Sequence, residues 1–175
     1  MTTLVLTVIG NDRSGLVEAL AAVVTRHGGN WDRSSMARLG TKFAGIVEVT
    51  VTGSQVDALV ADLESLDADG LLDVTVERAD DRPASDAAAA ARRWELRLVG
   101  HDRPGIVHEI AQALARNAVS IEELHTSASS APMSAESLFE ARAALVAVGD
   151  IDLDRLRSEL EALANELMVD IDLSS

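Results

Sequence analysis

The chain has 175 residues, with 15 basic and 29 acidic side chains, so its formal net charge is −14. That charge opposes direct binding to nucleic acid or to an anionic membrane surface, so a role in gene control would act through a protein partner. The absence of cysteine excludes disulfides and thiolate chemistry and argues against structural zinc. Hydrophobic residues make up 47% of the chain but aromatic residues only 2%, which predicts aliphatic cores.

The beginning of the chain shows no sign of a targeting segment. Met1–Leu4 leads directly into a strand-like run, without the basic region and long apolar stretch of a signal peptide. No segment contains the roughly 18 consecutive apolar residues that a membrane span needs. We therefore expect a cytoplasmic protein that does not enter a membrane.

A short loop motif occurs twice in the chain, at an offset of 90 residues. It covers Gly10–Leu16 and Gly100–Ile106, each time between an alternating apolar run and an apolar pattern of helical period. A strand that feeds a helix through a tight loop brings backbone N–H groups together, as the binding of a small anion requires. The repeat predicts two domains, over residues 1–78 and 94–175, with a linker over 79–93.

In the first copy, period-2 alternation and β-branched residues predict four strands. They cover Thr3–Ile9, Asn30–Leu39, Phe43–Val51 and Leu72–Glu77. Apolar residues at helical spacing predict two helices between them. These stripes consist of Leu16, Leu20, Val23 and Val24, and of Val56, Leu59, Val60 and Leu63. Gly28 is predicted to end the first helix, because glycine adopts the left-handed conformation at low cost.

The second copy repeats this order. Its strands are predicted over Trp94–Val99, Ser120–Thr126, Leu138–Val148 and Leu167–Leu173. Its helices are predicted over Gly105–Arg116 and along Leu153, Leu156, Leu160 and Leu163. Each copy is therefore βαββαβ, which predicts an α+β fold of two ferredoxin-like domains, each an antiparallel sheet with its helices on one face. The Ser- and Ala-rich segment Thr126–Ser137 is predicted to be a mobile loop, and the run Ala87–Ala91 in the linker is compatible with a helix.

The two predicted sheets differ on the face turned away from the helices. In the second copy this face carries charges able to pair across strands, namely Glu95, Arg97, Glu140 and Arg142. In the first copy the matching residues are mostly apolar or small, namely Val5, Thr7, Ala44, Ile46 and Glu48. We expect the first face to be covered by the other copy or by a second chain, with a tolerated apolar patch as the alternative.

The loop motif, the βαββαβ order and the tandem arrangement together resemble the ACT domain family of regulatory modules. The resemblance lies in Asp102–Val107 and Gly28–Asn30, and Asn30–Gly40 is similar to a segment of the glycine cleavage system transcriptional repressor family. It implies a non-enzymatic regulatory protein, without a cofactor, that binds a small amino acid, with glycine or serine as the first candidates. It also implies a homodimer and a protein partner such as a transcription factor, whose contact the ligand alters.

In this family the ligand lies between the loop and the start of the second strand, often at an interface between modules. A helix N-terminus attracts the ligand carboxylate, and side-chain oxygens accept hydrogen bonds from its ammonium. The candidate ligand-binding residues of the first copy are Asn11, Asp12, Arg13, Ser14, Gly15, Leu16 and Asn30. Those of the second copy are His101, Asp102, Arg103, Gly105, Ile106 and Ser120.

Structural roles compete with ligand binding at several of these positions. Asp12 and its counterpart in the second copy are also typical N-caps of the helices that follow them. Gly15 and its counterpart are also explained by a close approach of helix and strand. The loop arginines are also explained by pairing with an acidic residue.

The two copies are not equivalent as binding sites. Ala118–Ser120 stands where the first copy has Gly28–Asn30, so the second copy lacks one polar ligand. Trp31 stands where the family has a smaller aliphatic residue, so it narrows or plugs a pocket of the first copy. The first copy is the better candidate for binding. The alternative function is a protein–protein interaction module that has kept the fold and lost the ligand, with Trp31 filling the cavity.

Neither a metal site nor an enzyme is indicated by the sequence. The four histidines lack the paired spacing of metal ligands. Asn11 and Arg13 are residue types that a phosphatase of ferredoxin-like fold uses in its first loop, but Asp12 between them would repel a phosphate. No Ser, His and Asp set is recognisable as a triad.

Overall fold

The computed structural model describes residues 1–79, 91–130 and 137–174. The chain divides into two compact units, Met1–Arg82 and Pro83–Ser175, which we call the first and second modules. The boundary falls inside the segment that the sequence assigns to a linker. Most of the predicted helical run in that segment lies outside the described residues, and its last alanine, Ala91, begins a strand.

The first module is a four-stranded sheet with two helices. Its elements are β1 (Thr2–Asn11), α1 (Leu16–Arg26), β2 (Asn30–Leu39), β3 (Lys42–Val51), a short 3-10 turn (Gly53–Gln55), α2 (Val56–Ala68) and β4 (Asp73–Arg78). The strand order is β2-β3-β1-β4, and every neighbouring pair is antiparallel. The predicted ferredoxin-like βαββαβ arrangement is confirmed for this module.

The second module has the same topology. Its elements are β5 (Ala91–His101), α3 (Ile106–Arg116), β6 (Ser120–Ser130), β7 (Ser137–Val148), α4 (Leu153–Leu167) and β8 (Val169–Ser174). The strand order β6-β7-β5-β8 repeats that of the first module, again with antiparallel neighbours. The duplication seen in the loop motif therefore extends to the whole fold.

Two predicted boundaries in the second module are wrong. The segment predicted as a loop from Thr126 is paired as strand as far as Ser130, which is opposite Ser137. Small side chains did not prevent this pairing, because the ladder is made by backbone groups. Leu167 was predicted to start the last strand, but it is a buried residue at the end of α4, and the strand follows Met168 in the left-handed conformation.

Each module has its own aliphatic core between the sheet and the helices. In α1 the buried residues are the predicted stripe Leu16, Leu20, Val23 and Val24. In α2 Leu66 is buried as well, whereas Val60 is only partly buried. Trp94 is the one aromatic side chain among the buried hydrophobic residues described.

None of the helices in the described part of the chain combines the length and apolar character needed to cross a bilayer.

The outer sheet faces differ as predicted in composition, but the charges of the second face pair differently. On β7, Arg97 is opposite Arg142 and Glu95 is opposite Ala144, whereas on β8 Arg97 is opposite Asp172. Glu95 instead accepts a hydrogen bond from Arg97 on the same strand at 2.9 Å, which lowers the pKa of Glu95. Opposite charges therefore do lie near each other across the strands, Arg97 opposite Asp172 and Arg142 near enough to Glu95 to lower its pKa further. On the first face, Ile46 is 54% exposed.

Candidate functional site

A left-handed glycine directs the chain into the helix after each repeated loop. Gly15 (φ +91°) is the N-cap of α1 and Gly105 (φ +100°) is the N-cap of α3, and no described side chain caps either helix. The predicted capping by Asp12 and Asp102 is therefore wrong. Each aspartate lies three residues before its N-cap position, too early in the chain for its side chain to satisfy the first helical N–H groups.

The two N-cap glycines do not mark a close approach of helix and strand. A Cβ atom at Gly15 would meet nothing within 4 Å, so this glycine is required by its left-handed conformation alone. The close approach lies instead at Gly10, where a Cβ would come within 2.5 Å of the Leu71 carbonyl oxygen. Gly100 packs in the same way against Val169. The interpretation of Gly15 and its counterpart as packing glycines is corrected accordingly.

The first loop is tied to the turn between β2 and β3. The Asp12 backbone N–H donates to the Thr41 carbonyl at 2.9 Å, and Lys42 Nζ donates to Asn11 Oδ1 at 2.8 Å. Asp12 Oδ2 lies 3.6 Å from Arg38 Nε. Both basic residues flank a hairpin turn and were missed by the sequence analysis, since nothing in their spacing relates them to the loop.

Arg13 connects the loop to the turn that follows α2. Its guanidinium donates to the Gly70 carbonyl at 3.0 Å, just beyond the end of α2. The predicted pairing of this arginine with an acidic residue is thus replaced by a hydrogen bond to a backbone carbonyl. Arg13 stabilises the loop from the side opposite Arg38 and Lys42.

The beginning of α1 offers free backbone donors to a ligand. The first helical hydrogen bond runs from the Ala19 N–H to the Gly15 carbonyl at 2.9 Å, so the preceding amides have no carbonyl partner within the helix. These amides also lie at the positive end of the helix dipole. Ser14 and Gly15 are exposed, whereas the Leu16 side chain is buried in the core. Leu16 can therefore contribute only its backbone N–H.

The structure does not bring Asn30 together with the loop of its own module. Asn30 is opposite Thr50 at the start of β2, while Asn11 is opposite Lys42 at the other end of the sheet. These ends are eight residues apart along β3, roughly 26 Å at about 3.3 Å per residue. Asn30 can act on a ligand only together with a loop that is not its own. In the second module, Ser120 and His101 lie at opposite sheet ends in the same way.

Asn30 is instead part of a small polar cluster at the start of β2. Its side chain donates to Asp32 Oδ1 at 2.5 Å, and Thr50 Oγ1 donates to Asp32 Oδ2 at 2.6 Å. Asp32 lies at the irregularity in the pairing of β2 with β3, between Trp31 and Arg33. The cluster fixes the orientation of the Asn30 amide.

The second loop lacks the two basic neighbours that surround the first. The Asp102 N–H donates to the Ser137 carbonyl at 2.8 Å, which repeats the backbone tie of the first loop. Ala128 and Leu138 occupy the positions of Arg38 and Lys42 in the pairing pattern. Exposed His101 lines an open depression of about 480 Å³. Its other lining residues are Val99, Gly100, Leu138, Ala164, Asn165, Met168, Val169 and Asp170.

Trp31 takes part in the core of the first module. Its ring is partly buried against that core together with Met36, and its indole N–H donates to Ser34 Oγ at 3.2 Å. The equivalent place in the second module is an apolar groove under α3, lined by Ile121 and Leu124 among others. Within the described ranges, no group of three or more His, Asp or Glu residues is arranged to hold a metal ion.

Comparisons with known proteins agree with this architecture. A search among curated proteins found no significant match. The crystal structure of a protein of unknown function from Galdieria sulphuraria is 28% identical, with a TM-score of 0.84 over 99% of this chain and 97% of that chain. A structure described as that of a candidate glycine cleavage system transcriptional repressor is 22% identical, with a TM-score of 0.69 over 99% of this chain and 96% of that chain.

At 22% identity the second likeness establishes the fold alone. The family assignment rests on the sequence itself. The ACT domain matches the chain twice, at residues 2–77 and 96–174, so that one match falls in each module. The two matches together cover most of the chain. The chain belongs to the ACT domain family and carries two such domains in tandem.

Proposed function

We propose that the chain is a non-enzymatic regulatory protein of the cytoplasm that binds a small amino acid at the β1–α1 loop of its first module. The observation that carries this proposal is the uncapped N-terminus of α1 in the same loop as the carboxylate of Asp12. A free amino acid has one anionic and one cationic group, and the loop offers a partner for each. Membership of the ACT domain family supports the same conclusion.

The proposed contacts follow from the donors and acceptors of the loop. The ligand carboxylate accepts hydrogen bonds from the backbone N–H groups of Ser14, Gly15 and Leu16. The ligand ammonium donates to the Asp12 carboxylate, whereas the side-chain oxygen of Asn11 already accepts a hydrogen bond from Lys42. Glycine and serine are the first candidates, in line with the likeness to a candidate glycine cleavage system transcriptional repressor.

Regulation is proposed to act through a protein partner such as a transcription factor. The net charge of −14 makes direct contact with nucleic acid phosphates unfavourable. A ligand bound in the first loop would contact β1, α1 and the β2–β3 turn together, and so would favour one arrangement of these elements over another. The likeness to a candidate transcriptional repressor supports a role in gene control.

Calorimetric titration tests the binding claim. Glycine and serine are expected to release or absorb heat and to raise the thermal unfolding midpoint, because a ligand of the native state stabilises that state. Asp12→Asn removes the charge that receives the ammonium and should weaken binding about tenfold or more. Asp102→Asn is the matched control in the second module and should leave the affinity unchanged. No heat at millimolar amino acid would contradict the proposal.

A second function is supported by one observation. Trp31 and Met36 fill part of the first module that is an apolar groove in the second, as expected if the domain serves only as an interaction module. That function predicts a chain whose unfolding midpoint does not respond to any amino acid but which still co-purifies with a partner protein. A midpoint that rises with glycine concentration excludes it.

We also propose that the chain is a homodimer. The outer face of the first sheet carries exposed Ile46 and Ile9, which in water favour burial against another surface. Sedimentation equilibrium at micromolar concentration is expected to give twice the monomer mass. Ile46→Arg, which copies the charge of Arg142 at the equivalent place, is expected to shift the chain to monomer. A wild-type chain that sediments only as monomer would contradict this.

A further inference from the structure

We propose that Arg38 binds the carboxylate of the ligand, and that the ligand inserts between the side chains of Arg38 and Asp12. This inference rests on the proposed amino-acid binding and specifies how the first loop would recognise its ligand. A site of this kind selects zwitterions, which carry a carboxylate and an ammonium on one small molecule.

Arg38 lies on the face of the sheet from which α1 begins. It is opposite Phe43 in the β2–β3 ladder, and Phe43 packs against the core under the helices. Residues directly opposite each other in a ladder point to the same face, so Arg38 shares the face of Phe43. Lys42, the residue before Phe43 in β3, belongs to the opposite face. Of these two basic residues, Arg38 is the one on the same side as the N-terminus of α1.

The ion pair between Arg38 and Asp12 is weak enough for a ligand to replace it. Their closest atoms are 3.6 Å apart, well beyond the roughly 2.8 Å of a charge-assisted hydrogen bond. The Arg38 side chain is 67% exposed and that of Asp12 is 37% exposed. Exposed pairs of this kind contribute little to stability, so separating the two groups costs little.

The backbone around this pair is held by hydrogen bonds, so the two groups separate by movement of the side chains. Asp12 is held by its hydrogen bond to the Thr41 carbonyl, within the turn that follows β2. Arg38 is held by the ladder opposite Phe43. The long arginine side chain can therefore swing outward while the Asp12 carboxylate stays in place. A molecule that enters between them meets a cation on one side and an anion on the other.

Only a zwitterion replaces what both partners lose when they separate. A simple carboxylate would satisfy Arg38 but would leave the Asp12 charge unpaired beside the bound anion. A simple amine would satisfy Asp12 but would leave Arg38 unpaired. An α-amino acid pairs its carboxylate with Arg38 and with the α1 amides, and its ammonium with Asp12. The planar guanidinium also matches a carboxylate better than an ammonium group would.

The second module lacks this arrangement. Ala128 is opposite Phe139, as Arg38 is opposite Phe43, so the position is the same but the charge is absent. The inference therefore assigns recognition of the zwitterion to the first module alone.

Titration calorimetry on the full chain tests this inference with glycine, acetate and glycinamide as probes. Wild type is expected to bind glycine at least about tenfold more tightly than acetate or glycinamide. Arg38→Ala should weaken glycine binding at least tenfold, and Arg38→Lys should recover only part of the loss. Arg33→Ala is the matched control, because it removes the same charge from the same strand where it pairs with Glu48. Far-ultraviolet circular dichroism checks that each variant is folded.

The outcomes separate the two proposals. Wild-type binding of glycine that survives unchanged in Arg38→Ala overturns the role of Arg38 but not the proposed function. Equal affinity of wild type for acetate and glycine overturns selection of zwitterions. A folded wild-type chain that binds no amino acid overturns the proposed function and this inference together.

Discussion

Around Asp12 the first module gathers Arg38 and Lys42, whereas around Asp102 the second module has Ala128 and Leu138. The backbone pairing is the same in both places, so the difference is one of side chains on a common frame. The duplicated loop motif thus preserves a turn geometry, including its left-handed glycine, without preserving the surrounding charge. The two modules are therefore alike in architecture, but we do not expect them to bind a ligand equally.

The opposite ends of the first helices differ in a similar way. His27 Nε2 lies 2.9 Å from Asp62 Oδ2 in the first module, where Arg26 also donates to that carboxylate. In the second module Asn117 Nδ2 donates to Glu159 at 2.8 Å, and Arg116 Nε donates to the same carboxylate at 2.9 Å. Both arrangements tie the end of the first helix to the second helix of the module. The two modules reach the same link with a titratable side chain in one case and an amide in the other.

The largest expected effect is at the packing glycines, where the modules should behave alike. Gly10→Ala places a Cβ against the Leu71 carbonyl oxygen, and Gly100→Ala places one against Val169. Each should lower the free energy of unfolding of its module by about 3 kcal/mol, as overpacking does. Urea unfolding followed by tryptophan fluorescence measures this, with Trp31 reporting on the first module and Trp94 on the second. Tolerance of either substitution would show that the two sheets are not packed alike.

A smaller loss is expected at the N-cap glycines. Gly15→Ala meets no neighbouring atom within 4 Å, so it costs only the strain of a left-handed alanine, about 1 kcal/mol. The same unfolding measurement should rank it well below Gly10→Ala. A larger loss at Gly15 than at Gly10 would reverse the roles assigned to these residues.

The helix links are expected to give a pH-dependent contribution. The pKa of Asp62 is lowered, first by its hydrogen bond with His27, and the pKa of Glu159 is lowered, first by its hydrogen bond with Asn117. A lowered folded-state pKa stabilises the protein above the unfolded value, about 4, and the contribution is lost as pH falls through the folded value.

Asp62→Asn and Glu159→Gln should therefore unfold at lower temperature than wild type at pH 7. Both differences should shrink as the pH falls below about 4, because the wild-type carboxyl groups are then protonated. Thermal unfolding between neutral and acidic pH provides the measurement. A deficit that stays constant over this range would mean that the ionised carboxylates contribute nothing.

The smallest effect is expected on the outer face of the second sheet. Arg97→Ala breaks an exposed ion pair with Glu95, and such pairs contribute little to folding. The urea midpoint should be almost unchanged. A clear loss of stability would show that this charged face is more than a solvated surface.

The repeated fold could be predicted from the sequence because its signals are local. The stripe that includes Leu20 and Val24 has helical period, and the Gly40 turn separates two strands, so the elements follow from neighbouring residues. The segment of small residues up to Ser130 was wrongly predicted to be a loop, because strand pairing there does not depend on large side chains. Local signals determine the elements better than their ends.

The candidate site was harder to predict because it depends on which ends of the strands meet. Asn30 follows the loop closely in the sequence, yet β2 runs parallel to β1, so its first residue lies at the far end of the sheet. Arg38 follows the loop at a greater separation and is brought back to it by the hairpin. Strand direction, rather than proximity along the chain, decides which side chains surround Asp12.

The central claim is that an amino acid binds at the first loop and not at the second. Nuclear magnetic resonance of the isotope-labelled chain during a glycine titration tests it most directly, because each backbone amide reports separately. The account predicts saturable shifts at the amides of Ser14, Gly15 and Leu16, with the amides of Gly105 and Ile106 unmoved. Absence of any shift at millimolar glycine, or shifts confined to the second loop, would contradict it.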